Sequence, residues 1–356
     1  MQNRCMYRLL SGIIGTLLLC NFELIRSEAA APPIENKERI LIVVGAAGQE
    51  KYEQQFASWV ARWKEIASHK RAEVSVIGEC IDARCSDLKL LQKELQRETD
   101  NITATWLILI GHGTFDGKTA RFNLRGPDVT AEQLSALCDP VKHPLAVINC
   151  FSASGPFIEA LSADKRVIIT ATKNGHEFYF SRFGGFLAET STQEQTDLDH
   201  DGQVSLLEAY LSACRDTNAY YQQKGELATE HALLDDNADR SGTRGDQYQG
   251  LIKIPDQNSN TAILADGHRA HQFILFSTHK VELLSGEQKR KRDELEIQIL
   301  ELKQRKASFS SLNEYYLTLE PLMVQLSQIY RQLDQQKRPV IYDPLVVPAN
   351  AKKTGK

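Results

Sequence analysis

The stretch "LAVINCFSASG" (residues 145–155) carries an apolar run straight into Cys150 and then into small residues. A packing cysteine normally lies inside such a run, but this one stands where the run stops. Thirty-eight residues earlier (112 to 150), "LILIGHGTFDG" places His112 between two glycines. A thiol with a pKa of about 8.5 is only slightly ionised at neutral pH, so a cysteine nucleophile needs a base or a positive field beside it. His112 is the candidate base. Gly113 leaves its backbone N–H uncluttered for a developing oxyanion, and the N–H of Cys150 is a second donor. Ser152, Ala153, Ser154 and Gly155 leave space for a substrate backbone. Taken singly, the histidine is a strand-end turn residue and the cysteine a buried thiol. Only the pair speaks for covalent attack on a carbonyl.

A second constellation is acidic. In "DLDHDGQVSLLE" (197–208), Asp197, Asp199, Asp201, Ser205 and Glu208 stand at calcium-loop spacing, with Gln203 offering its backbone carbonyl. Alternating carboxylates converge on a hard cation, Gly202 permits the sharp turn, and Glu208 closes the shell from the following helix. Calcium is the expected ion. The entering helix is weak, which argues against a paired, sensor-type hand. "DDNADRSG" (235–242) resembles a second such loop, but Arg240 stands where glycine is wanted and its charge opposes a cation. A structural loop is expected there. His268 and His271 have no third ligand to make a zinc site.

These residues need a scaffold. "RILIVVGAAG" (39–48), "AEVSVIGE" (72–79), "ATWLILIGHG" (104–113), "PLAVINC" (144–150) and "KRVIITAT" (165–172) read as buried strands. Between them, "YEQQFASWVARWKEIA" (52–67), "DLKLLQKELQRET" (87–99), "TAEQLSALC" (130–138, capped by Thr130) and "GPFIEALSA" (155–163) carry helical periodicity. This alternation predicts an α/β sandwich over about 39–280 with a parallel sheet covered on both faces. Reactive groups collect at the carboxyl edge of such a sheet, where His112 and Cys150 both fall.

The order and spacing of "LIVVGAAGQEKY", "LILIGHGTFDG", "AVINCFSASG", "TATKNGHEFYFSRFGGF" and "ATEHALLDDNADRSG" resemble the caspase-like cysteine peptidases. Within that clan the chain is most similar to the legumain-like group in its exported bacterial form, over roughly residues 39–255. The resemblance implies a caspase-like α/β/α sandwich with a mostly parallel sheet. It also implies a catalytic pair of His112 and Cys150, an oxyanion hole from the Gly113 and Cys150 amides, and hydrolysis through a thioester. Phe151 departs from the acidic residue usual after the legumain cysteine, which leaves specificity for asparagine unsupported. Substrate-pocket candidates are Ser152, Glu177 and Arg182, the last two favouring opposite substrate charges.

The chain has 356 residues, 42% hydrophobic and 25% charged, with a net charge of −4, which gives no electrostatic case for nucleic acid. Arg4, Arg8 and "LLSGIIGTLLLC" followed by "SEAAAP" read as an export signal over residues 1–30. No later segment is long and apolar enough to span a membrane. After signal loss five of the seven cysteines remain: Cys80, Cys85, Cys138, Cys150 and Cys214. That odd number leaves at least one thiol unpaired in a monomer. Residues 31–38 form a linker, 39–284 the peptidase domain, 285–336 a helical hairpin or coiled coil, and 337–356 a Pro- and Lys-rich tail. "GAAG" lacks a dinucleotide-binding spacing, and "SASG" is not a serine-hydrolase elbow. Two other readings compete with hydrolysis. One is transamidation through the same thioester. The other is a non-catalytic calcium-binding scaffold that engages a protein partner through helices 286–335.

Overall fold

The run "RILIVV" forms the strand that the rest of the sheet grows around. In the computed structural model, which describes residues 37–79, 86–97, 102–254, 264–277 and 284–337, this strand is β1 (Lys37–Val44). The export segment, the linker up to residue 36, Cys80, Cys85 and the tail after residue 337 lie outside the described residues. β2 (Glu73–Ile77), β3 (Ile102–Ile110), β4 (Leu145–Cys150), β5 (Arg166–Thr170), β6 (Leu233–Asp235) and β7 (Thr243–Arg244) complete a seven-stranded sheet in the order β2-β1-β3-β4-β5-β6-β7. The first five strands are parallel, and β6 and β7 each run antiparallel to their predecessor. The carboxyl ends of β1, β3, β4 and β5 therefore share one edge, as the alternation predicts.

Alternating side chains fill both faces. Ile40, Ile42, Ile108 and Ile148 pack with Phe56 and Trp63 of α1 (Glu50–Lys70), Leu187 of α5 (Phe183–Thr190) and Tyr210 of α6 (Leu206–Lys224). Leu41, Val43, Leu107 and Val147 meet Leu91 of α2 (Asp87–Gln96), Leu134 of α3 (Ala131–Cys138) and Phe157 of α4 (Phe157–Leu161). The helix signals work as expected. Thr130 and Gln133 form a reciprocal capping box on α3, and α1 ends where Arg71 turns left-handed at φ 51°.

Beyond the sheet, α7 (His268–Gln272) leads to α8 (Gly286–Gln304) and α9 (Leu312–Lys337). These last two helices form an antiparallel pair around Leu284, Leu295 and Ile329. Gln272 Nε2 donates to the Asp293 carbonyl at 2.8 Å, and all described residues belong to one folded unit. Among the described residues no helix is long and apolar enough to cross a membrane.

Because Ile148 is fully buried in the central strand β4, Ile148→Ala should cost about 2–5 kcal/mol, read as a lower urea midpoint. An unchanged midpoint would contradict the central packing of β4.

Candidate active site and cation loop

Two neighbouring strands set the site. In the β3–β4 pair Ile110 is opposite Cys150, and His112 follows two residues later, returning its side chain to the face that Ile110 and Cys150 share. A three-stranded hairpin layer fixes the backbone there: Gly113–Phe115 pairs with Ala120–Phe122, and the His112 carbonyl accepts the Asn123 N–H at 3.0 Å. The His112 ring is wedged among aromatics, with centroids 4.7 Å from Tyr52, 5.4 Å from Phe56 and 5.9 Å from Phe180. Its Nε2 lies 3.2 Å from the Ala47 carbonyl. Burial lowers its pKa below the ordinary histidine value, so the ring is neutral at pH 7.

Cys150 corrects one expectation. The end of an apolar run at the carboxyl edge predicts an accessible thiol, yet Cys150 is 0% exposed and part of the apolar core. The cause is α5. A side chain on Gly184 would come within 2.4 Å of Cys150 Cβ and 3.0 Å of its Sγ, so only a glycine lets this helix sit directly on the thiol. Trp59 closes the same seam, packed against Gly184 and Gly185. Burial pushes the thiol up to about 12, and the sulfur makes no hydrogen bond to His112 or to any other described residue. Burial thus disfavours the charged form of both side chains on this face.

The other predicted residues are placed plainly. The Gly113 N–H is aimed at Ser152 Oγ at 3.4 Å, and Ser152 Oγ donates back to the Gly113 carbonyl at 3.3 Å. The chain's own serine therefore fills the space in front of one expected oxyanion donor. The other belongs to Cys150, which is still inside the strand ladder. Glu177 and Arg182 do not converge. Glu177 accepts from His231 Nδ1 at 2.6 Å and from the Lys173 and His231 backbone N–H groups. The Arg182 guanidinium stacks 4.4 Å over the Tyr220 ring and 5.8 Å from that of Phe180.

Sequence reasoning missed Glu230. This buried carboxylate accepts from the Ser181 and Tyr221 hydroxyls and from the backbone N–H groups of Arg182 and Phe183. It pins the amino end of α5, and hence the seat of Gly184 on Cys150. Glu230 stands in the quoted block "ATEHALLDDNADRSG", where nothing marks it out, and the segment it clasps, "EFYFSR", leaves Phe178 and Tyr179 exposed while Phe180 turns inward. A cavity of about 100 Å³ lies beside this clasp, lined by Phe183, Cys214, Glu230, His231 and Arg244. Cys138, Cys150 and Cys214 are all free thiols.

The acidic loop brings part of its expected set together. One carboxylate oxygen each from Asp197, Asp199 and Glu208 lie within 4.8 Å of one another. Gly202 adopts φ 86°, Asp201 accepts the Gln203 N–H at 2.7 Å, and Ser205 and Glu208 form a capping box that starts α6. Strand Gln203–Ser205 pairs with Ile274–Ser277, in the place a second hand would take. His268 and His271 part company: His268 faces Asp236 at 3.5 Å, and His271 lies 3.7 Å from Asp199.

No family model matches the chain, and no curated protein matches it. Among solved structures it is similar to the Drosophila initiator caspase Dronc, at 15% identity and a TM-score of 0.39, covering 56% of this chain and 80% of that one. Caspase-1 from Spodoptera frugiperda is similar at 10% identity and a TM-score of 0.38, over 57% of this chain and 88% of that one. The structure titled drICE is similar at 11% identity and a TM-score of 0.35, over 56% and 87%.

With its pKa at about 12, Cys150 should react with iodoacetamide at pH 7.5 roughly a thousandfold more slowly than a free thiol. The rate should climb as pH rises toward that value. Mass spectrometry of the Cys150 peptide checks this, and alkylation at the free-thiol rate would contradict the sealed state.

Proposed function

We propose that this chain is an exported cysteine endopeptidase that rests closed, with Cys150 as nucleophile and His112 as general base. The supporting observation is the shared register: hydrogen-bonded neighbouring strands carry both side chains to one face at the same sheet edge. When α5 lifts from Cys150, His112 takes the thiol proton and the sulfur attacks a peptide carbonyl, giving a tetrahedral oxyanion. Collapse breaks the C–N bond as the imidazolium returns its proton to the leaving amine. Water then attacks the thioester with His112 again as base, releasing the acid and restoring the thiol. Gly113 offers its amide to the oxyanion once the Ser152 hydroxyl turns away. Capture of the same thioester by an amine would make the enzyme a transamidase.

Calcium completes this reading, held at 197–208 by the convergent Asp197, Asp199 and Glu208 with Asp201, Ser205 and the Gln203 carbonyl. Three like charges this close favour a bound hard cation. The buried, unpaired state of Cys150 favours a second reading, a non-catalytic scaffold. Its partner would engage the exposed Leu312, Tyr316 and Met323 of α9.

A peptide-based, thiol-reactive probe should label the wild-type chain in calcium, and Cys150→Ala should abolish labelling. Labelling that survives this change removes Cys150, and silence across a diverse peptide library favours the scaffold. In a separate melting experiment, chelation should lower the wild-type Tm by clearly more than that of Asp199→Asn. A site saturated at a hundredfold over its Kd contributes about 2.7 kcal/mol. Equal chelator responses in the two proteins would remove the calcium assignment.

A further inference from the structure

We propose that loop 235–241 is a second calcium site, built from the carboxylates of Asp235 and Asp239, the amide oxygen of Asn237 and the main-chain carbonyl of Ser241. The observation that carries it is an orphaned oxygen. Asp235 closes β6 at 1% exposure, and its Oδ1 accepts the Ala238 N–H at 3.2 Å, which turns the carboxyl group into the loop. Its Oδ2 is buried with no partner at hydrogen-bonding distance, and the one side-chain donor acting on this carboxyl group is the Ser162 hydroxyl. The neighbouring buried acids are served otherwise. Asp236 accepts from the Gly267 and Ala270 N–H groups at 3.0 and 2.8 Å, and Asp266 from the Asp236 N–H and the Thr243 hydroxyl. A buried carboxylate oxygen without a donor is costly, and a cation placed in this loop supplies what the protein withholds.

The surrounding loop is the one such an ion needs. Residues 237–241 repeat the geometry of 199–203, while the first position differs: Asp197 accepts the Asp201 and Gly202 N–H groups, and Asp235 accepts that of Ala238. Positive φ angles of 60° and 86° at His200 and Gly202 recur as 65° and 66° at Ala238 and Arg240. Asp199 Oδ1 accepts the Asp201 N–H at 3.2 Å, as Asn237 Oδ1 accepts that of Asp239 at 2.9 Å. Asp201 Oδ1 accepts the Gln203 N–H at 2.7 Å, as Asp239 Oδ1 accepts that of Ser241 at 2.8 Å. The Asn237 amide is oriented by donation from Nδ2 to the Leu264 carbonyl at 2.9 Å and to Asp239 Oδ2 at 3.1 Å.

Arg240, expected to exclude a cation, does not block the loop. Its backbone already holds the left-handed turn that glycine would favour, its N–H donates to Ser162 Oγ at 3.1 Å, and its side chain is exposed. The closing carboxylate is what this loop lacks. Asp246, at the twelfth position counted from Asp235, is engaged by Arg244 instead. With fewer charged ligands, the affinity belongs in the range of about 10⁻⁴–10⁻³ M, weaker than expected at 197–208.

The test is calcium stoichiometry of the full-length chain by equilibrium dialysis at millimolar free calcium, with circular dichroism verifying the fold of each variant. Asp239 is exposed, so Asp239→Ala should fold, lose the weaker ion and keep the tighter one, whereas Asp199→Ala should do the reverse. Arg240→Gly, which removes the local positive charge, should tighten the weaker site about threefold to tenfold. Loss of binding in Asp239→Ala supports the site even if the 197–208 loop binds nothing, so the two assignments fail separately. Binding that is absent, or that is lost in Asp199→Ala and untouched in Asp239→Ala, overturns it.

Discussion

The side-by-side register of β3 and β4 is the constraint on which the rest of the site depends. Parallel pairing places Ile110 opposite Cys150, and the two-residue period of a strand then returns His112 to the same face. A slip of one residue in either strand would send thiol and imidazole to opposite sides of the sheet. Continuous β-branched runs prevent that slip, because both faces are buried and every misregister would misplace a layer of core.

Given that register, the helix packed across the strand tips decides the state of the thiol. Gly184 lets α5 approach as closely as a backbone can, Trp59 fills the remaining space, and Glu230 holds the helix start with four donors. The result is electrostatic as well as steric. Away from water and from any donor, the thiolate is disfavoured, and the neighbouring imidazole is held neutral by the same burial. Moving one short helix would change access and ionisation together.

Much of this was legible in the sequence because it is local. Strand and helix positions follow from periodicity, and the turn at Gly202 from the acidic residues spaced two apart around it. The sheet-edge location of His112 and Cys150 follows from where apolar runs stop. What was not legible depends on contacts far apart in the chain. Nothing in "LAVINC" tells that Gly184, 34 residues on from Cys150 (150 to 184), will press on the sulfur. That Glu177 meets His231 and Arg182 stacks on Tyr220 could likewise not be read from the segment after β5, since both contacts reach far along the chain. Arg240 is a different case: residue type could not tell that its backbone turns left-handed, at φ 66°, or that its side chain is exposed.

The place of β1 in the strand order bears on how the molecule comes to exist. Among the described strands the first in the chain is an interior one, flanked by β2 on one side and β3 on the other. Its most apolar residues gain one neighbour when the chain reaches Ile77, the second only at Ile110, and full cover when α5 and α6 follow. Folding of this kind is slow, because long loops must close before any contact repays them. Until it is complete the polypeptide presents a sticky edge, so its assembly favours a chaperone or a late, all-at-once collapse over growth from one end.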